Sequence, residues 1–347
     1  VAQGLPRVRL LLGLVISVAA FGLVVMRVDF NEVADAFRIA NYKWLLVAAV
    51  CSSLTVPIRA ERWRLLCSPT QIAFPRALGI LSVGAALTAL LPLRLGDVVR
   101  AYLVGEMERR SKVWALATMV VERMFDIVAL LVITVVLLPF VSLPDWAADS
   151  ARVTVGLALV GLVAIFGIWF SRSIVERRAG SLSGRFSGRP IEHVRAMVRH
   201  VIDGLSILSQ PAQLIGAVFW TATLWLVTSV VIWATLMAFN VTTSPTIALL
   251  LVLVSAATVA VPLSPSAVGV YHAAIVETLI VVTTVSSSTA ASVAIVAHAL
   301  LFVPPIVFGF ACFWLVPGIA ERLLLMRRTR KEPAGAQMVS SGPLPPG

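Results

Sequence analysis

Charge is scarce in this sequence. Only 13% of its 347 residues are charged while 59% are hydrophobic, and the mean hydropathy is +0.96. Soluble domains carry about a quarter charged residues, and a single core could not hide this much apolar surface from water. The composition therefore excludes a water-solvated fold and most cytosolic enzymes, and it excludes disorder outside the C-terminal stretch. Cysteine is nearly missing too. Cys51, Cys67 and Cys312 are neither clustered nor regularly spaced, so neither a disulfide framework nor a zinc site is expected, and they read as small buried hydrophobes. No metal, cofactor or nucleotide-binding motif is indicated. Acidic residues number 17 against 28 Lys and Arg, a net charge of +11. In a soluble protein that balance would suggest nucleic acid. Here the arginines flank apolar runs, as they do on cytoplasmic loops facing anionic lipid, and no nucleic-acid partner is expected.

What the chain has in abundance is hydrophobic runs. A bilayer core takes about 20 apolar residues in a helix, with a range near 17 to 25. Runs of that order begin at Arg9–Met26, which reads as a retained first span, followed by an amphipathic piece with Phe30, Val33 and Phe37 against Glu32, Asp35 and Arg38. Further runs cover Trp44–Ile58, Ala77–Leu93, Val113–Leu143 and Val153–Phe170. A basic segment, 171–211, is expected on the cytoplasmic face, its second half from Ile191 to Leu208 as a surface helix. Four more runs follow: Leu214–Phe239, Thr246–Val261, Val268–Val285 and Ser292–Val316. Residues 1–316 read as a single transmembrane domain with pseudo-repeated halves near 9–170 and 213–316, and 317–347 as a basic, disordered cytoplasmic tail.

Topology turns on Ala77–Leu93. Were it a full crossing, the basic clusters Arg59–Arg76 and Arg94–Lys112 would lie on opposite sides, against the positive-inside tendency. A re-entrant hairpin, with breaks at Gly79, Gly84 and Pro92, puts both on the cytoplasmic side and both termini with them. The acidic link Asp145–Asp149 then falls outside. A second interruption, Val261-Pro-Leu-Ser-Pro-Ser-Ala-Val-Gly269, separates two short runs. Broken hydrophobic segments in corresponding halves point to a substrate site near the midplane, although a plain loop outside the membrane fits the same residues. The expected fold is all-α, a polytopic membrane helix bundle with two re-entrant or broken-helix regions. The expected location is a bacterial-type plasma membrane.

Some polar residues do not belong in lipid. Glu122, Arg123 and Asp126 interrupt an apolar run. An isolated charge at the bilayer centre costs at least about 2.5 kcal/mol, so three together must face protein, water or ligand. Arg123 can offer a phosphate-binding fork held by Glu122 and Asp126, or the three can form a structural ion network. In Leu91-Pro-Leu-Arg-Leu-Gly-Asp-Val-Val-Arg100 the turn can open a helix whose N-terminal amides favour an anion. Arg94 and Arg100 are candidate phosphate ligands there, with Asp97 in the first helical turn. The alternative is a plain positive-inside anchor. In the later half the candidates are Pro262, Ser264, Pro265, Gly269, Tyr271, His272 and Glu277 around the second break. His272 and Glu277, five apart, do not share a face well.

Arg59…Arg62-Trp63, Leu91-Pro-x-Arg-x-Gly-Asp-x-x-Arg100, Val121-Glu-Arg-x-x-Asp126 and Pro262-x-Ser-Pro-x-x-x-Gly-Val270 occur in that order. Together they resemble the lysylphosphatidylglycerol synthase transmembrane-region family of flippase-like membrane proteins, from about Arg9 to Val316. The resemblance adds Arg59 and Arg62 to the candidate site. It implies a lipid translocase that moves a phospholipid, glycolipid or polyprenyl-phosphate-linked head group between leaflets through an Arg-lined cavity. Pro265-Ser-Ala stands where the family has a Pro-Gly-Gly-like turn, and Tyr271-His272 where an acidic residue often follows, which bears on the head group handled. No aminoacyl transfer is expected, and the chain is expected not to be an enzyme. The expected partners are membrane lipids with an anionic or phosphate head group, together with a second copy or a lipid-synthase subunit. Two alternatives remain: a membrane-embedded glycosyltransferase using a polyprenyl-phosphate sugar donor, and a non-catalytic partner of a lipid synthase.

Overall fold

The computed structural model describes residues 30–91, 94–137, 139–140, 206–260 and 267–329, with isolated positions at 156, 159, 160, 163, 167 and 203. The predicted first span Arg9–Met26, the Asp145–Asp149 link, the span Val153–Phe170 and nearly all of the basic segment 171–211 lie outside the described residues, as does the tail beyond 329. Among the described residues the chain is helical and contains no strand.

A short amphipathic helix α1 (Phe30–Arg38) leads into α2 (Tyr42–Leu66), α3 (Phe74–Leu90), α4 (Leu95–Glu108) and α5 (Lys112–Leu137). A 3₁₀ turn (Ser206–Ser209) precedes α6 (Pro211–Ala238), α7 (Pro245–Ala260), α8 (Val270–Val282), α9 (Ser287–Leu315) and α10 (Ile319–Thr329). Asn41 caps α2 and Ser286 caps α9, each accepting a backbone N–H on its side chain, while Pro starts α6 and α7, where its missing N–H costs nothing. Three helices, α2, α6 and α9, are long and apolar enough to cross a bilayer. The tail expectation is corrected at its start. Residues 319–329 form α10, whose Ile319 is fully buried and whose Arg322 Nη1 lies 3.7 Å from Glu106 of α4.

Lengths repeat along the chain. Helices of 25, 17, 14 and 26 residues (α2–α5) are followed by helices of 28, 16, 13 and 29 (α6–α9). The packing repeats with them: α2 packs on α6, α3 on α9 as α7 on α5, and α3 on α4 as α7 on α8. The two halves run in opposite directions. Ser68, just after α2, donates a 2.6 Å hydrogen bond to Gln210, just before α6, and at the other end the Asn41 N–H donates to the Ala238 carbonyl at 2.7 Å. Equivalent helices that pack antiparallel make this an inverted repeat, the scaffold of many transporters.

Within each half the two short helices form a hairpin. At about 1.5 Å per residue, α3 and α4 are too short to span a ~30 Å core upright, and their outer ends meet again where Arg76 lies 3.5 Å from Glu108. The first interruption is thus a hairpin of two helices, and the expected return within Ala77–Leu93 is corrected: α3 runs unbroken through Gly79 and Gly84, and the chain turns only after it, at Arg94. Inversion brings the α7–α8 hairpin in from the opposite side.

Small residues make the close contacts. A Cβ on Gly96 would stand 1.9 Å from the Gly84 carbonyl oxygen, and one on Gly309 would stand 2.4 Å from Ala86 Cβ. Only glycine lets α3 pack backbone to backbone on α4 and α9, the usual means of association where lipid supplies no hydrophobic drive. Pro304 in α9 has no N–H for the Leu300 carbonyl one turn back, and Ser52 of α2 donates its hydroxyl to that carbonyl. Large apolar side chains such as Leu46, Val50 and Leu54, or Val303, Val307, Phe310 and Trp314, remain exposed at helical spacing on outer faces. Those faces suit acyl chains.

Candidate functional site

The described ionisable groups are most concentrated inside the first half. On α2, Arg59 and Arg62 are three residues apart and so share one face. Arg62 is 1% exposed. Its Nη1 donates to Asp126 at 2.6 Å and its Nη2 to Glu122 at 3.2 Å, with the Thr221 hydroxyl of α6 at 3.5 Å from Nη1. Arg100 of α4 reaches Glu122 from the other side, its Nη2 2.9 Å from Oε2. The same guanidinium lies over the Trp63 ring at 4.2 Å, and Trp63 donates its indole N–H to Thr118 at 3.3 Å. Glu122 is therefore clamped between two buried arginines drawn from two helices. Removing either charge type alone would leave the other stranded in low dielectric.

This arrangement corrects the expected role of Arg123. It pairs with Asp126 at 3.4 Å as its spacing predicts, but its side chain is 50% exposed, and Glu122 holds Arg62 and Arg100 instead. Arg59 is different again. Its Nε is buried without a hydrogen-bond partner, and no ion pair joins it to a carboxylate among the described residues.

Arg94 sits at the tip of the first hairpin with φ 53°, in the left-handed region, and its Nε is 3.7 Å from Asp97 in the first turn of α4. Among the described residues no side chain caps the N-terminus of α4, whose amides carry the positive end of the helix dipole beside Arg94. Pro92, next to this tip, lies outside the described residues.

In the second half, Pro262, Ser264 and Pro265 also lie outside the described residues. Gly269 (φ 85°) opens α8, whose N-terminus again has no side-chain cap. Tyr271 is fully buried, with the Ser255 hydroxyl of α7 3.3 Å from its own. His272 is buried and its ring lies 4.8 Å from that of His298 on α9, which in turn stacks on Phe302 at 4.6 Å. Glu277 is exposed. The structure therefore brings together Arg59, Arg62, Arg94, Asp97, Arg100, Glu122, Arg123 and Asp126 in the first half. Tyr271 and His272 form a separate cluster of rings. Sequence reasoning missed Thr221 and Phe302 as members of these clusters. A threonine or phenylalanine within an apolar run carries no signal of its own.

The Lysylphosphatidylglycerol synthase TM region family model matches residues 10–309. The chain is 25% identical over 339 residues to "Glycosyltransferase AglD" of Haloferax volcanii, covering 87% of this chain and 54% of that protein. It is 26% identical over 204 residues to "UPF0104 membrane protein" of Methanothermobacter thermautotrophicus, covering 54% of this chain and 59% of that one. The chain thus spans about half the length of the curated relatives it matches. No solved structure matches. The expectation that the chain has no enzymatic role is overturned by the first of these relatives, which bears a glycosyltransferase's name.

Proposed function

The chain belongs to the lysylphosphatidylglycerol synthase transmembrane-region family, and from that premise we propose that it binds the phosphate of a membrane lipid head group in its first half and carries it between leaflets. The observation that carries this reading is the buried Arg62–Glu122–Arg100 clamp beside Arg59 and the uncapped N-terminus of α4. Guanidinium forks and open helix amides are the donors that phosphate oxygens accept. The clamp fixes two of the arginines in place, and Arg59, Arg94 and Arg123 are their electrostatic neighbours. An inverted repeat with hairpins entering from opposite sides supports access from either leaflet. The acyl or prenyl chains would stay in lipid along the apolar outer faces.

The test is reconstitution into liposomes carrying a fluorescent lipid with a phosphate-containing head group, with leaflet exchange followed by dithionite quenching. Exchange is expected with the native chain and is expected to fall at least tenfold in the Arg100→Ala/Arg123→Ala double variant. Unchanged exchange in that variant refutes the mechanism.

A second reading is favoured by the name of the Haloferax relative: the same phosphate site serves a glycosyl-transfer reaction on a polyprenyl-phosphate lipid. Incubating the reconstituted chain with a radiolabelled polyprenyl-phosphate sugar and following the label into product separates the two. Product formation favours transfer, and exchange without product favours carriage.

A further inference from the structure

The charges of the first-half site do not balance. Arg59, Arg62, Arg94, Arg100 and Arg123 supply five positive charges. Asp97, Glu122 and Asp126 supply three negative ones, leaving an excess of two among the described residues. In water such an excess would be trivial. At membrane depth each uncompensated charge costs at least about 2.5 kcal/mol, so a counter-charge of about two is expected when the site is filled.

The allocation of partners shows where the excess lies. Arg62 spends both terminal nitrogens on Asp126 and Glu122. Arg100 is held between Glu122 and the Trp63 ring, and Arg94 has Asp97. Arg123 shares an Asp126 that Arg62 already occupies at the shorter distance. Arg59 has no carboxylate within ion-pair reach among the described residues, although Asp126, Arg62, Arg123 and Glu122 are its electrostatic neighbours. Its buried Nε lacks an acceptor, as do Arg62 Nε and Arg100 Nε, so the missing carboxylate is what sets Arg59 apart. A guanidinium in that position lacks an oxyanion.

Resting on the phosphate-lipid reading above, we propose that the site selects a head group ending in a phosphomonoester, a dianion, over the singly charged phosphodiester of ordinary phospholipids, and that Arg59 is the residue that binds it. A phosphomonoester carries about −1.5 to −2 at pH 7, with a second pKa near 6, and it offers three terminal oxygens to guanidinium donors. A phosphodiester has one charge and two free oxygens, and leaves one of the arginines unmatched. The chemistry is shared by phosphatidic acid and by isoprenoid monophosphates.

The experiment is competition binding read by native mass spectrometry on the full chain in detergent. Phosphatidylglycerol is offered against phosphatidic acid in one arm and against farnesyl phosphate in the other, at pH 8 and pH 5. At pH 8 a monoester is expected to displace the diester by at least tenfold, and at pH 5, where it holds a single charge, the preference is expected to collapse. The preferred monoester tells the glycerolipid source from the isoprenoid one. Arg59→Gln is expected to reduce the pH 8 preference about tenfold, and Arg59→Lys to keep part of it. Equal binding of monoester and diester by the native chain overturns this inference and leaves the phosphate-lipid reading standing. Binding of neither overturns both. A preference untouched in Arg59→Gln, with its melting temperature unchanged, overturns the assignment to Arg59.

Discussion

Replacing Glu122 by Gln would strand two guanidiniums at once. The carboxylate is 5% exposed and stands 3.2 Å from Arg62 Nη2 and 2.9 Å from Arg100 Nη2. Removing one partner of a buried ion pair costs about 3–5 kcal/mol. The cost is shared unequally here. Arg62 keeps Asp126 at 2.6 Å, whereas Arg100 keeps only the Trp63 face at 4.2 Å, an interaction of about 2 kcal/mol when desolvated. Glu122→Gln is therefore expected to lose about 4 kcal/mol of stability, most of it through Arg100. Asp126→Asn should lose about 1–2 kcal/mol, because Arg62 retains Glu122 and Arg123 is only half buried. Glu122→Gln/Arg100→Met, which removes both charges of the worse-placed pair, should recover about half of the single-variant loss. Reversible unfolding of the purified chain in mixed micelles, followed by tryptophan fluorescence, measures all three. A Glu122→Gln loss below about 1 kcal/mol, or a double variant no more stable than the single, would refute the clamp as the organising interaction.

Gly96→Ala is expected to destabilise more than Gly309→Ala, because its Cβ meets the Gly84 carbonyl at 1.9 Å and Thr88 N at 2.5 Å, whereas at Gly309 the nearest atom is Ala86 Cβ at 2.4 Å. Overpacking of this kind costs about 1–3 kcal/mol or more, and the order of melting temperatures checks it. Ser52→Ala leaves the Leu300 carbonyl without the donor that Pro304 cannot supply. A loss of about 0.6–1.7 kcal/mol is expected in the same unfolding assay. Cys67, just past the end of α2, is fully buried, and burial pushes its thiol well above the ordinary range. Only a thiolate attacks maleimide, so Cys67 should stay unlabelled at pH 8 in the folded chain and label after denaturation, as read by peptide mass spectrometry.

Much of the scaffold is legible in the sequence because a bilayer accepts few backbone solutions. The runs at Leu214, Thr246, Val268 and Ser292 begin within six residues of α6, α7, α8 and α9. The charges on either side of Ala77–Leu93 point to a hairpin, but they place its turn inside that run, whereas α3 crosses it unbroken and the turn falls at Arg94. The centre of the ionic site was harder to see. Arg59-Ala-Glu-Arg-Trp-Arg64 reads as a basic cluster beyond an apolar run, and such clusters usually sit in water. Helix α2 instead continues to Leu66, so Arg62 turns inward while Arg64 pairs with Glu61 at 2.6 Å. Charge counting along a chain cannot tell those two arginines apart. Helical phase can, once the helix is known to extend. The focus on Arg123 had the same origin, since adjacency to Glu122 in sequence says nothing of partners 22 and 60 residues away, which tertiary packing supplies.

The inverted repeat sharpens why the charged site occurs once. Counted from the first residue of each helix, Gly84 and Gly96 of the first hairpin correspond to Ser255 and Tyr271 of the second. Where the first hairpin closes backbone to backbone, the second is held by a hydroxyl pair at 3.3 Å around a buried ring. The same count sets Arg62, Arg100 and Glu122 against Val231, Ile275 and Ala297. The backbone is thus duplicated while the electrostatics are not. On the proposed phosphate-lipid reading, two equivalent charge clusters would offer a single phosphate two minima, and guanidiniums confined to one half would give it one well. That reading assigns binding strength to side chains of α2, α4 and α5, and two-sided access to the pairing of the two halves along α2 and α6.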